Sequence, residues 1–199
     1  VLTLIYLSIA DRFRTHTTIL AVQGLLLFGI AIARLHEFHP VEMTVIIIET
    51  LVFKAIVIPA ILLRVIHMTK INRIHSASSQ FSALVMSIIA LIASCTITYY
   101  MADNHTDMIF FGVALYALLS GLILIVLRQR IFAHLVGFLV IENGVFLFSM
   151  AIGVEMPMLI NAAIMLDILM SVLMLGMFMT KVDSQIHTDN SDSLTHVKD

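Results

Sequence analysis

Residues 131–153 read IFAHLVGFLVIENGVFLFSMAIG. Wound as an α-helix at about 1.5 Å per residue, this stretch is about 34 Å long, enough to cross a hydrocarbon layer about 30 Å thick. A soluble surface helix keeps one charged face. Here the apolar residues run all the way round, and one charge, Glu142, stands at the middle. Such a helix has lipid or protein on every side.

The same texture repeats along the chain. Apolar runs near 1–10, 16–34, 41–66, 81–102, 107–127, 131–153 and 157–180 predict an all-α integral membrane protein of about seven transmembrane helices. The breaks between them are short and polar, and Pro40 and Pro157 fall at helix starts, where a missing N–H does no harm. Of 199 residues, 60% are apolar and 12% charged, and the mean hydropathy is +1.05. That is too little charge to cover a soluble surface, so the solvent is expected to be lipid. The first run, Val1 to Ala10, is too short to span and is expected to be a truncated first helix. Beyond Lys181 the chain turns polar, so residues 182–199 are expected to form a solvent-exposed tail.

Orientation follows from the basic residues. Arg12, Arg14, Arg64, Lys70, Arg73, Arg128, Arg130, Lys181 and Lys198 fall on alternate connections and Arg34 alone on the others. This bias predicts the N-terminus outside and the C-terminus in the cytoplasm, in a cell inner or plasma membrane.

Composition also excludes functions. A net charge of −2 leaves no electrostatic footprint for nucleic acid. The single cysteine, Cys95, cannot by itself build a disulfide or a metal–thiolate cluster, so no cofactor is expected in this chain. His36-Glu37-Phe38-His39 lacks zincin spacing and falls in a predicted loop, so no metal site is assigned there. Nucleotide fingerprints and a Ser-His-Asp arrangement are lacking, and no catalytic residue is assigned. Without any Trp, Tyr99 and Tyr100 sit where an interfacial anchor would.

Three ionisable residues then stand out at the centres of apolar runs: Lys54 in 41–66, Glu142 in 131–153 and Asp167 in 157–180. Each costs about 2.5–3.5 kcal/mol to insert. Interhelical hydrogen bonds return about 1 kcal/mol or less, so packing alone does not account for all three, and intramembrane carboxylates usually mark an ion path. Gly137 and Gly144 share one face of their helix and suit close approach of a neighbouring backbone, whereas Glu142 points about 140° from that seam. A polar partner or water is expected on this second side. Supporting candidates are Asn143 beside Glu142, His134 two turns before it, Ser171 one turn beyond Asp167, and Glu49, which lies about 140° from Lys54 on a regular helix. Pro59, five residues after Lys54, removes a backbone donor and is expected to bend the helix. Gln23, midway along 16–34, is read as a structural hydrogen-bonding residue.

Arg128-Gln129-Arg130, Gly137-Phe138 and Ile141-Glu142-Asn143-Gly144, followed one helix later by Asp167, resemble the hydrogenase-4 component E family, as does Lys54-Ala55-Ile56-Val57-Ile58-Pro59. That family belongs to the membrane arms of formate hydrogenlyase and related energy-converting nickel–iron hydrogenases. Residues 107–181 are also similar in layout to the K component of respiratory complex I and to the C component of multisubunit cation/proton antiporters, with residues 1–106 as preceding helices. In the K component the second and third helices each carry a glutamate on the proton path. Glu142 matches the first by position; Asp167 stands for the second, one methylene shorter. The resemblance implies a subunit without redox centres, partnered in the bilayer by antiporter-like and quinone-subunit-like proteins and by a peripheral redox arm. Glu142 and Asp167 would pass a proton or sodium ion under the influence of Lys54. The alternatives are a scaffold subunit with no ion path and an independent small transporter.

Overall fold

The computed structural model describes residues 1–10, 12–33, 44, 47–69, 80–101, 107–128 and 131–152. These are helical almost throughout: α1 (Leu2–Ile9), α2 (Phe13–Ala33), a π-helical segment (Ile48–Val57) running straight into α3 (Ile58–Thr69), α4 (Gln80–Met101), α5 (Met108–Leu127) and α6 (Ile131–Ile152). Among the described residues four helices, Phe13–Ala33, Phe81–Met101, Met108–Leu127 and Phe132–Ile152, are long and apolar enough to cross a membrane. Their length and composition are those of membrane-spanning helices. The predicted helix 157–180 and the tail lie outside the described residues.

The helix ends follow local chemistry. Asp107 caps α5, its Oδ1 accepting from the N–H groups of Ile109 (3.2 Å) and Phe110 (3.5 Å), which satisfies two donors that have no carbonyl one turn back. At the other end of α5, Arg128 leaves helical geometry with φ −110° and ψ 127°. The predicted run 41–66 departs from a bent α-helix. The chain winds as a π-helix over Ile48–Val57 and returns to α winding at Ile58, one residue before Pro59. A wider turn accommodates a residue that supplies no N–H and whose ring crowds the preceding carbonyls.

Packing centres on α6, of whose span 67% is buried, against 22% for α4. One side of α6 meets α5 through glycines. A Cβ on Gly121 would lie 2.6 Å from the Gly137 oxygen, one on Gly137 would lie 2.8 Å from the Gly121 oxygen, and Gly144 faces the Ala114 oxygen at 3.1 Å. The Asp107 N–H donates to the Ala151 oxygen at 3.0 Å. Thus 107, 114 and 121 on α5 pair with 151, 144 and 137 on α6. Steps of seven forward on one helix match steps of seven backward on the other, the register of an antiparallel pair with a small-residue seam.

Beyond α5 lies α4, also antiparallel: Tyr116 and Ser87 share a hydrogen bond of 2.7 Å, and Gly112 packs on Thr98. The far side of α4 presents Val85, Met86, Ile88, Ile89 and Ile92, and ends in the exposed pair Tyr99 and Tyr100. A mostly apolar face of this kind suits acyl chains, and the exposed Thr96 hydroxyl on it is satisfied by the Ile92 oxygen (2.8 Å). On the other side of α6 lies α2. Phe13 meets Phe132 edge-on at 4.3 Å and Gln23 meets Asn143, so both residue numbers rise together and the two helices are parallel. Leu4, Leu7, Leu20, Leu62, Val136 and Val140 fill the core between these elements.

Candidate functional site

The face of α6 opposite its glycine seam carries Glu142, Asn143 and Phe146. Taking Gly137 as zero, a regular helix places them about 140°, 240° and 180° round. Glu142 and Asn143 are both buried. Asn143 Nδ2 donates to Gln23 Oε1 on α2 (3.2 Å), and Gln23 Nε2 donates to Thr3 Oγ1 on α1 (3.4 Å). A line of amides and a hydroxyl therefore joins α6, α2 and α1 inside the bundle.

Lys54 enters the same interface from the π-helical segment. It is 5% exposed, and its Nζ lies 5.2 Å from the centroid of the Phe146 ring. Phe146 is one turn beyond Glu142 on the same face, so the amine stands within a helical turn of the carboxyl's level. Cation–π attraction supplies about 0.5–2 kcal/mol, less than the cost of about 2.5–3.5 kcal/mol for placing a lysine at mid-bilayer. The rest falls to polar groups of this interface. Thr50, fully buried one turn earlier, is on the same stripe of the segment as Lys54.

Behind Lys54 the backbone of α2 comes very close. A Cβ on Gly24 would lie 2.8 Å from both the Lys54 carbonyl carbon and the Ala55 nitrogen, and 2.9 Å from the Lys54 oxygen. Only glycine permits this approach. The neighbours Gln23 and Gly24 thus touch, respectively, the residue beside Glu142 and the peptide of Lys54.

Of the predicted site residues, Lys54 meets Phe146 and Asn143 meets Gln23, on the side of α6 where helix geometry also puts the buried Glu142. Asp167 and Ser171 lie outside the described residues. Glu49 falls in the π-helical segment, one turn or so before Lys54. His134 is half-buried, and its contact is with the Arg128 carbonyl, Nε2 to oxygen 2.6 Å, rather than with the Glu142 face two turns on.

Arg128 itself has a role that no sequence pattern announces. It is 2% exposed, and its Nη2 donates to the Ser8 oxygen (3.1 Å) and the Ala10 oxygen (3.2 Å) at the end of α1. A guanidinium at a helix C-terminus satisfies carbonyls that have no partner further along and lies at the negative end of the helix dipole. Its place in a short basic break between apolar runs reads equally well as a headgroup-level charge.

Compared with protein-family models, with curated proteins and with solved structures, the chain matches none. The functional reading rests on the residues themselves.

Proposed function

We propose that this chain is a membrane-arm subunit of the hydrogenase-4 component E kind, helping to couple electron transfer in partner subunits to proton or sodium movement through Lys54, Glu142 and Asp167. The observation that carries the reading is the burial of an amine and a carboxyl in one interface, at the point where the chain abandons α winding. Each is costly to keep at that depth. π-Helical turns are frequent at functional sites.

In this reading the chain crosses an inner or plasma membrane seven times, with the N-terminus outside and the C-terminus in the cytoplasm. The directions of the described helices support it. Going from α4 to α5 to α6 the direction alternates, and α2 runs parallel to α6, as it must if the intervening segments all cross. The partners are antiporter-like and quinone-subunit-like membrane proteins and a peripheral redox arm.

A scaffold subunit is the second reading, and Arg128 favours it, because that buried cation joins two helices through backbone carbonyls of α1. Lys54 and Glu142 could be of the same kind. Purification in mild detergent through a tag on the full chain tests the parent reading: a nickel–iron large subunit and antiporter-like membrane subunits are expected to co-elute. Recovery of the chain as a lone monomer from membranes that contain those proteins would overturn both the coupling and the scaffold reading.

A further inference from the structure

We propose that Gln23 and Gly24 are positioning residues that hold the Lys54 amine and the Glu142 carboxyl in one mutual arrangement, so that movement at either is felt at the other. This rests on the relay reading above. Consecutive helical residues point about 100° apart, and these two use that divergence. Gly24 lets the Lys54–Ala55 peptide seat against the α2 backbone, with all three nearest atoms to its missing Cβ belonging to that peptide. Gln23 uses its carbonyl toward Asn143 and its amide toward Thr3. A displacement of the π-helical segment at Lys54 therefore presses on α2 at Gly24. The next residue passes it to Asn143, the covalent neighbour of Glu142. Hydrogen-bonding glue elsewhere along α2 would hold the bundle equally well. What sets these two residues apart is that one contact falls on the Lys54 peptide and the other on the neighbour of Glu142.

Among the described residues, the ionisable groups on the elements around α6 are Glu49 and Lys54 from the π-helical segment, Arg14 and His16 from α2, and Asp107 and Tyr116 from α5. The parallel register puts Arg14 and His16 near the level of His134, about two turns from Glu142, and α5 packs on the opposite face of α6. On the Glu142 face, Lys54 lies at Phe146.

The test uses the full chain in its membranes and the apolar reagent dicyclohexylcarbodiimide, which attacks protonated intramembrane carboxyls. Label on Glu142 is read by mass spectrometry across a pH series to give the pH of half-labelling. Lys54→Gln removes the amine and is expected to move that pH by about one unit, a tenfold change in proton affinity. Gly24→Ala forces the Lys54 peptide away, and Gln23→Leu cuts the line to Asn143 without added bulk. Both are expected to move the pH of half-labelling by roughly half a unit, and neither to add a shift in the Lys54→Gln background, as residues acting through one pair behave. Gly29→Ala, where nothing lies within 4 Å of the new Cβ, is expected to leave it unchanged. If Lys54→Gln shifts the profile while Gly24→Ala and Gln23→Leu lower thermal stability alone, the positioning role is wrong and the relay reading stands. If Lys54→Gln leaves the profile unmoved, or Glu142 takes no label at any pH, the relay reading falls and the positioning role with it. Should Gly24→Ala not accumulate, Gln23→Leu decides.

Discussion

The Arg128 guanidinium donates to two backbone oxygens of α1 from a site that is 2% exposed. Hydrogen bonds from charged donors are worth about 1.5–3 kcal/mol each, so Arg128→Ala, which removes two, is expected to lower stability by about 3–6 kcal/mol, measured as unfolding in mixed micelles. Ser8→Ala removes a hydroxyl that bonds only the Leu4 carbonyl within its own helix (3.1 Å) and leaves the clamped carbonyl in place. Its expected cost is below about 1 kcal/mol. Equal costs for the two would show that the clamp contributes little. Lys54 and Glu142 were legible in the sequence because a charge inside an apolar run violates the local pattern whatever surrounds it. Arg128 was not, since a basic residue between two apolar runs violates nothing. Gln23 was visible as a polar residue, but its partners Asn143 and Thr3 are 120 and 20 positions away, and one sequence carries no record of such neighbours.

Among elements, the α5–α6 seam depends on the absence of side chains. Gly121→Ala and Gly137→Ala each put a methyl group within 3 Å of a backbone oxygen. Overpacking of that kind costs about 1–3 kcal/mol; Gly29→Ala, into open space, is expected to cost nothing or to stabilise slightly. Thermal scans of the three variants in one detergent check the contrast. The seven-residue spacing of Gly137 and Gly144 made their shared face readable in advance, and their partners on α5 follow the same interval. The π-helical segment was not readable. A proline in an apolar run announces a missing donor, but whether the backbone answers with a bend or with a wider turn depends on what packs beside it. Here that is the bare Cα of Gly24.

For the whole molecule, lipid as the solvent was legible from composition alone, because 12% charged residues cannot clothe 199 residues in water. The alternation of helix directions was implied by the short breaks, and it appears in the contacts of α4, α5, α6 and α2. A fluorescent protein fused after Asp199 is expected to fluoresce, and a periplasmic phosphatase at the same point to be inactive. The reverse pair of results would invert the orientation. The central claim is that the buried amine and carboxyl carry ions rather than merely pin helices. It is tested most directly by ion uptake per electron in inverted membrane vesicles bearing the assembled complex with Glu142→Gln, at matched amounts of the complex. Electron transfer with ion uptake reduced at least about tenfold, on the order of the effect of removing a positioned proton carrier, is the expected result; full ion uptake by the assembled variant would contradict the account.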